Sequence, residues 1–149
     1  MKCIKCGKRY KKSLTNCPSC NEVNPKFLEE HTIAIEENKD IPFKVKRVYY
    51  IYDTLNGVRR GFHAHKNLEQ ILICVKGSCK IHLDDGYSTA EVLLDKPSEG
   101  LYISNATWRE MYDFTPDAVL LVLASEFYDE SDYIRNYDKF IELVKNKEL

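Results

Sequence analysis

The sequence predicts an all-β domain, a sandwich or barrel of short strands closed by a C-terminal helix and preceded by a small zinc-binding module. Three observations support this fold class. The chain of 149 residues contains ten tyrosines and six phenylalanines, and aromatic residues favour strands. From Phe43 onward, short apolar runs alternate with turns at roughly ten-residue spacing, which is typical of a sandwich or barrel. The cysteines, finally, are concentrated near the N-terminus.

Two C-x-x-C pairs define the N-terminal module, and they consist of Cys3, Cys6, Cys17 and Cys20. Each pair places two thiolates on one tight turn, and two such turns that face each other form the tetrahedral four-cysteine site of a structural zinc. We therefore expect a zinc ribbon in residues 1–25 and a second domain in residues 26–149. A module this small has almost no core, so zinc would supply its folding energy. A redox dithiol and unpaired surface cysteines are the alternatives.

The second domain is predicted as a succession of strands with turns between them. The expected strands are Phe43–Asp53, Leu68–Val75, Cys79–Leu83, Ala90–Leu94, Leu101–Ser104, Trp108–Phe114 and Ala118–Ala124. Asn56-Gly57 and Asp84-Asp85-Gly86 are turn sequences between them. Residues 131–147 carry apolar side chains at helical spacing, which predicts an amphipathic C-terminal helix packed on the barrel.

Charge and hydropathy exclude several kinds of partner. The net charge is -1, from 22 basic and 23 acidic residues, and nucleic-acid-binding domains usually carry a basic excess. No apolar run approaches the roughly 20 residues of a membrane helix. The N-terminus lacks the apolar core of a signal peptide. We therefore expect a cytoplasmic protein with no nucleic-acid partner and no membrane association.

The ionisable residues of greatest interest are His63 and His65. On a strand, a separation of two residues directs both rings to the same face. Such a pair is costly to bury on an inward face, so the spacing indicates a compensating role. With Glu69, the histidines could hold a metal as a facial triad. Alternatively, a neutral imidazole could remove a proton next to a carbonyl without metal, or the pair could be part of a polar core without chemistry.

Several separated motifs resemble those of the cupin sugar 3,4-ketoisomerases. The first is Arg60-Gly61-Phe62-His63-Ala64-His65-Lys66, followed by Gln70. The likeness continues in residues 43–53 (FKVKRVYYIYD), 100–103 (GLYI), 108–112 (WREMY), 121–125 (LVLAS) and 128–137 (YDESDYIRNY). It covers about residues 31–140 in the family's order, and the zinc ribbon is an addition to the usual pattern.

The resemblance implies a cupin-type (jelly-roll) β-barrel that isomerises a nucleotide-linked 4-keto-6-deoxyhexose, such as TDP-4-keto-6-deoxyglucose, to the 3-keto sugar through an enediol. It implies metal-free acid–base catalysis, with His65 as the base and His63 as an orienting or relaying group. Arg60 would contact the diphosphate or the oxyanion, and Tyr52 would hydrogen-bond or reprotonate the sugar. Further expected substrate-binding residues are Arg47, Tyr50, Gln70, Tyr102 and Trp108. The family's exchange of strands implies a homodimer.

Strand alternation adds one geometric expectation and leaves two rival functions open. Positions 48, 50 and 52 share one face of a strand, so Tyr50 and Tyr52 should point to the same side and Arg47 to the other. One rival is a non-catalytic cupin that binds a sugar nucleotide or a partner protein. The other is a metal-dependent cupin enzyme that uses His63, His65 and Glu69.

Overall fold

The computed structural model of the chain describes residues 32–149, and the expected zinc ribbon in residues 1–25 lies outside this part. The compact unit that contains every strand and helix of the described residues runs from Ile35 to Leu149. Its strands are β1 (Arg47–Ile51), β2 (Arg60–His65), β3 (Gln70–Lys76), β4 (Cys79–Asp84), β5 (Thr89–Leu94), β6 (Leu101–Ile103), β7 (Trp108–Tyr112), β8 (Val119–Ala124) and β9 (Tyr133–Ile134). A 3-10 turn (Glu130–Asp132) precedes β9, and α1 (Tyr137–Lys145) follows it.

The strands form two antiparallel sheets, and the main core lies between them. The first sheet has the order β1-β8-β3-β6 and the second the order β5-β4-β7-β2-β9. Apolar side chains from both sheets meet in one cluster, to which β3 and β8 contribute from the first sheet and β4 and β7 from the second. This architecture confirms the predicted all-β barrel with a single C-terminal helix.

Strand β3 is buried on both faces. Leu72 and Cys74 point into the main core, whereas Ile71 and Ile73 point to the opposite side of the sheet. There they pack against the segment that precedes β1, which contributes Phe43. Burial on both faces explains why this strand reads as a continuous apolar run instead of an alternating one.

Helix α1 covers the outer face of the second sheet. It begins at Tyr137 because the Asn136 side chain caps it, accepting a hydrogen bond from the backbone N–H of Lys139 at 2.8 Å. Phe140 packs there against Trp108, with ring centroids 5.8 Å apart. The predicted helix start at residue 131 is wrong, because residues 130–134 form the 3-10 turn and β9. Among residues 32–149, no helix is long and apolar enough to span a membrane.

Phe140 offers a direct test of the packing of α1. Its side chain is fully buried, so Phe140→Ala should leave a cavity and lower the free energy of unfolding by about 3–5 kcal/mol. Urea unfolding followed by circular dichroism measures this loss. Leu93→Ala, at a half-exposed position on β5, is the matched control and should change stability by less than about 0.5 kcal/mol. Equal losses in the two variants would contradict the described packing.

Candidate active site

A β-bulge in β2 determines which side chains enter the barrel. The register between β2 and β7 shifts between Gly61 and His63, and both Gly61 (φ 98°) and Phe62 (φ 49°) have positive φ. A Cβ on Gly61 would lie 2.8 Å from the backbone oxygen of Arg109, so glycine is needed at this close approach. After the bulge, His63 lies opposite Arg109, and opposed residues of an antiparallel ladder share a face.

His63 is half-buried and has a defined tautomer. Its Nδ1 lies 2.9 Å from the carbonyl oxygen of Gly61. A carbonyl can only accept, so Nδ1 carries the hydrogen and Nε2 keeps a lone pair. Burial lowers the pKa of His63 to about 4, with smaller contributions from the positive charges of Arg109 and Arg135. His63 is therefore a neutral imidazole at neutral pH.

His65 is fully buried beside it. The two rings meet edge to face, with centroids 4.9 Å apart. Nδ1 of His65 lies 2.9 Å from Oδ2 of Asp132, and Nε2 is buried without a hydrogen-bond partner among residues 32–149. Burial, followed by the charge of Arg109, lowers the pKa of His65 to about 3. The contact with Asp132 is thus a hydrogen bond to a neutral imidazole, not an ion pair.

Two arginines with buried guanidinium nitrogens give this end of the barrel a positive potential. Arg109 is 1% exposed, and its Nε and Nη1 have no partner within the described part of the chain. Burial lowers the pKa of Arg109 to about 10, which leaves it charged at neutral pH. Arg47 has two buried nitrogens, Nε and Nη2, without partners in residues 32–149. Because unpaired buried charge is costly, this arrangement suits an anionic ligand.

Tyr49 and Gln70 extend the polar cluster from the first sheet. Nε2 of Gln70 donates a hydrogen bond to the Tyr49 hydroxyl at 2.9 Å. Burial is the main cause of a raised pKa of Tyr49, so its phenol stays protonated. Since this hydroxyl already accepts from Gln70, its own proton is available to another acceptor. The guanidinium of Arg47 lies 5.2 Å from the Tyr49 ring centroid, next to the same site.

The segment after β8 closes one side of the site with aromatic rings. The Tyr133 ring centroid lies 4.9 Å from that of His63 and 4.2 Å from that of His65. Tyr128 packs on Tyr133, with ring centroids 5.7 Å apart. The guanidinium carbon of Arg135 lies 4.3 Å from the centroid of the Tyr133 ring. These rings shield the imidazoles from water, which accords with the lowered pKa values of both histidines.

The structure brings together five of the residues that the sequence selected. Arg60, His63 and His65 come from β2. Arg60 is on the inward side because it lies opposite Met111, the residue of β7 that belongs to the main core. Arg47 and Gln70 come from the first sheet, where Arg47 is half-buried and Gln70 is buried. All five therefore line the inside of one barrel.

Four other expected residues lie elsewhere. Tyr50 and Tyr52 do share a face, with ring centroids 5.8 Å apart, but it is the outer face, and both are more than half exposed. The expectation that Arg47 points to the opposite side from these tyrosines is confirmed, and that side, which also carries Tyr49, is the inward one. Tyr102 is also exposed on the outer side. Trp108 packs beneath α1, 5.2 Å from the ring of Tyr137, and not against the histidines.

Glu69 is likewise separated from the histidine pair. It immediately precedes β3 and lies on the outward side of that strand, where its carboxylate accepts a hydrogen bond from the Tyr102 hydroxyl. Its neighbour Gln70 is the residue that points inward. Within residues 32–149, no three histidine, cysteine, aspartate or glutamate side chains are arranged to hold a metal ion. The geometry therefore does not support the triad of His63, His65 and Glu69.

Sequence reasoning missed Tyr49, Arg109, Asp132 and Tyr133. A signal was present for Tyr49, because positions 47, 49 and 51 alternate with the exposed positions of β1. Asp132 was assigned to a helix start and so was not considered as a partner of His65. Nothing in the sequence alone distinguishes Arg109 from a surface arginine.

The fold and its buried polar cluster define a cupin, and comparison with known proteins narrows the class. The family named FdtA, described as "WxcM-like, C-terminal", matches residues 23–145. The chain belongs to this family, and it is an isomerase of the 3,4-ketoisomerase type.

Its relatives include characterised enzymes. The TDP-4-oxo-6-deoxy-alpha-D-glucose-3,4-oxoisomerase of Aneurinibacillus thermoaerophilus is 60% identical over 108 residues, which are 72% of this chain and 78% of that protein. A 3,4-ketoisomerase from Helicobacter canadensis is 53% identical with a TM-score of 0.74, covering 76% of this chain and 86% of its own. QdtA, a sugar 3,4-ketoisomerase from Thermoanaerobacterium thermosaccharolyticum crystallised with TDP, is 53% identical with a TM-score of 0.75, covering 78% and 85%.

The lowered pKa values of the histidines predict a loss of stability on acidification. In the folded chain His63 and His65 have pKa values of about 4 and about 3, whereas an unfolded histidine titrates near pH 6.5. Below about pH 6.5 the unfolded chain binds more protons, so the free energy of unfolding falls as the pH falls, and this contribution is complete above that pH.

Urea unfolding between about pH 7 and about pH 5 measures this dependence. His63→Gln removes one of the two titrations, so its stability should fall less steeply over this range than that of the parent protein. Parallel curves for the two proteins would contradict the lowered pKa of His63.

Proposed function

We propose that the protein converts TDP-4-keto-6-deoxyglucose to the corresponding 3-keto sugar. The observation that carries this proposal is the neutral His63, whose Nε2 keeps a lone pair on an inward strand face opposite the charged Arg109. The names of relatives support the substrate, because the A. thermoaerophilus enzyme is named for this TDP-sugar. A mutant of QdtA, 52% identical to this chain, was crystallised in complex with TDP-4-keto-6-deoxyglucose.

We assign the base to His63 and a relay role to His65, the reverse of the sequence-based expectation. A base must reach the carbon-bound proton that it removes. His65 has no exposed surface, whereas His63 is accessible in part. Both are neutral at pH 7, so accessibility decides between them. His65 then relays protons to and from His63 without contacting the sugar, and Asp132 stabilises the charged form of His65.

The remaining roles follow from charge and hydrogen bonding. His63 removes the C3 proton, the C–H electron pair forms the C3–C4 double bond, and the carbonyl π pair moves to the C4 oxygen. Tyr49 donates its proton to that oxygen, and Arg109 stabilises the negative charge as it develops. In the second half, the C3 hydroxyl gives its proton to the Tyr49 phenolate and its O–H electron pair forms the C3 carbonyl, while the electron pair of the C3–C4 double bond takes up a proton at C4 from the protonated His63. No net oxidation occurs.

Arg47 and Arg60 are the proposed contacts of the anionic nucleotide. Both carry permanent positive charge on inward strand faces, Arg47 on β1 and Arg60 on β2. Arg47 has two buried nitrogens without partners in residues 32–149, which a phosphate oxygen would satisfy. Gln70 orients Tyr49 through its amide and need not touch the sugar.

Proton NMR of the purified protein with TDP-4-keto-6-deoxyglucose in D2O tests the function. We expect a 3-keto product that carries solvent deuterium at C4. His63→Asn should abolish both product formation and exchange, a loss of about 10²-fold or more because a positioned base is removed. Absence of product with the parent protein would contradict the proposed function.

Two tyrosine variants distinguish the structure-based assignment from the sequence-based one. Tyr49→Phe removes the inward hydroxyl and should slow product formation by about 10²-fold or more. Tyr52→Phe removes a hydroxyl from the outer face and should leave the rate near that of the parent protein. If Tyr52→Phe were the impaired variant, the assignment of Tyr49 would be wrong.

Two further proposals concern assembly. We propose a homodimer, supported by the edge strand β1, where Val48, Tyr50 and the following Tyr52 are each 56% or more exposed on the outer face. Within residues 32–149 the free edge of β1 pairs with no other strand. We also propose that residues 1–25 bind one structural zinc through the four cysteines of the two C-x-x-C pairs. Catalysis itself would need no cofactor.

Metal analysis of the purified protein tests the zinc proposal. We expect about one zinc per chain, because four thiolates complete one tetrahedral site. The paired substitutions Cys3→Ser and Cys6→Ser should remove it, whereas Cys74→Ser, in the core of the barrel, should not. Zinc that persists in the first variant would contradict the assignment.

A further inference from the structure

Asp132 is anchored to the turn that follows the histidine strand. Its Oδ1 accepts hydrogen bonds from the backbone N–H of Asn67 at 2.9 Å and from the Asn67 side-chain amide at 3.1 Å. Its backbone oxygen accepts from the backbone N–H of Lys66 at 3.0 Å. With Oδ1 held in this way, Oδ2 is left to face Nδ1 of His65 at 2.9 Å.

The other groups around His65 do not select its tautomer. On β2 and β7, His63 and Arg109 face it, and Arg109 offers only donors. On β9, the ring of Tyr133 packs against the imidazole edge to face. Nε2 has no hydrogen-bond partner among residues 32–149. The hydrogen bond to Asp132 is therefore the contact that determines which nitrogen of His65 carries the proton.

We propose that Asp132 is a positioning residue that holds His65 in the Nδ1–H tautomer, so that Nε2 keeps the lone pair a proton relay requires. This inference rests on the relay role of His65 in the proposed function. A carboxylate can only accept, so it fixes the Nδ1 proton and stabilises the imidazolium when Nε2 takes up a second one.

The contacts of Asn67 make the substitution Asp132→Asn unusually informative. The two N–H donors of Asn67 would hold the new amide oxygen in the place of Oδ1. The amide nitrogen would then face Nδ1 of His65 and donate to it. His65 would be forced into the Nε2–H tautomer, without a change in size and with both neighbouring contacts kept.

Nitrogen-15 NMR of the full-length protein, labelled at the imidazole nitrogens, measures the tautomer directly. In the parent protein we expect Nδ1 of His65 to be protonated and Nε2 to be unprotonated, and in Asp132→Asn the reverse. His65→Gln identifies the signals of this residue. A parent protein with a protonated Nε2 would overturn the proposal, even if the variant failed to fold.

Kinetics with TDP-4-keto-6-deoxyglucose measure the consequence. We expect Asp132→Asn to lower kcat by about 10²-fold with KM unchanged, because His65 acts through another group and does not contact the sugar. Asp138→Asn, which removes an exposed carboxylate from the first turn of α1, is the control and should retain full kcat. An inverted tautomer with normal kcat would overturn the relay role. If the parent protein gave no product, the proposed function would fail while the tautomer assignment still stood on the NMR result.

Discussion

The buried charge of Arg109 is the constraint on which the rest of the site depends. A guanidinium removed from water costs free energy, and within residues 32–149 only Nη2 of Arg109 has an acceptor, the Ser104 carbonyl at 3.5 Å, while the carboxylate of Asp132 offsets part of the charge. Burial is the largest cause of the lowered pKa values of both histidines and the charge of Arg109 adds to it, so the imidazoles are bases and not cations at neutral pH. A site with fixed positive charge and neutral bases suits proton removal that generates an oxyanion.

The hydrophobic and polar parts of the barrel have different tasks. One portion of the interior is a close-packed apolar cluster drawn from both sheets, and it makes the strands rigid. The polar portion then needs little mobility, because its side chains project from strands whose register is already determined. Tyr49, Gln70 and Arg109 belong to three different strands, and their alignment depends on the pairing of β1 and β3 with β8 and of β2 with β7.

The sequence predicted the barrel and the histidine pair because both depend on local patterns. Apolar runs between turns give the strands, and the two-residue spacing of His63 and His65 gives their common face. Tyr50 and Tyr52 were selected instead of Tyr49 because strand alternation alone does not say which of the two faces of β1 points into the barrel. Asp132 was missed for a different reason: a continuous helical periodicity obscured the short turn and strand that precede α1, and a contact between residues 67 positions apart leaves no local signal.

The bulge at Gly61 and Phe62 reverses the alternation of inward and outward side chains within β2. Regular alternation would send residues three apart to opposite sides, yet Arg60 and His63 both face inward. One extra residue thus lets Arg60 share the interior with His63 and His65. It also divides β2 into a portion in register with the apolar core and a portion in register with the acid–base groups, so that either could be remodelled without displacing the other.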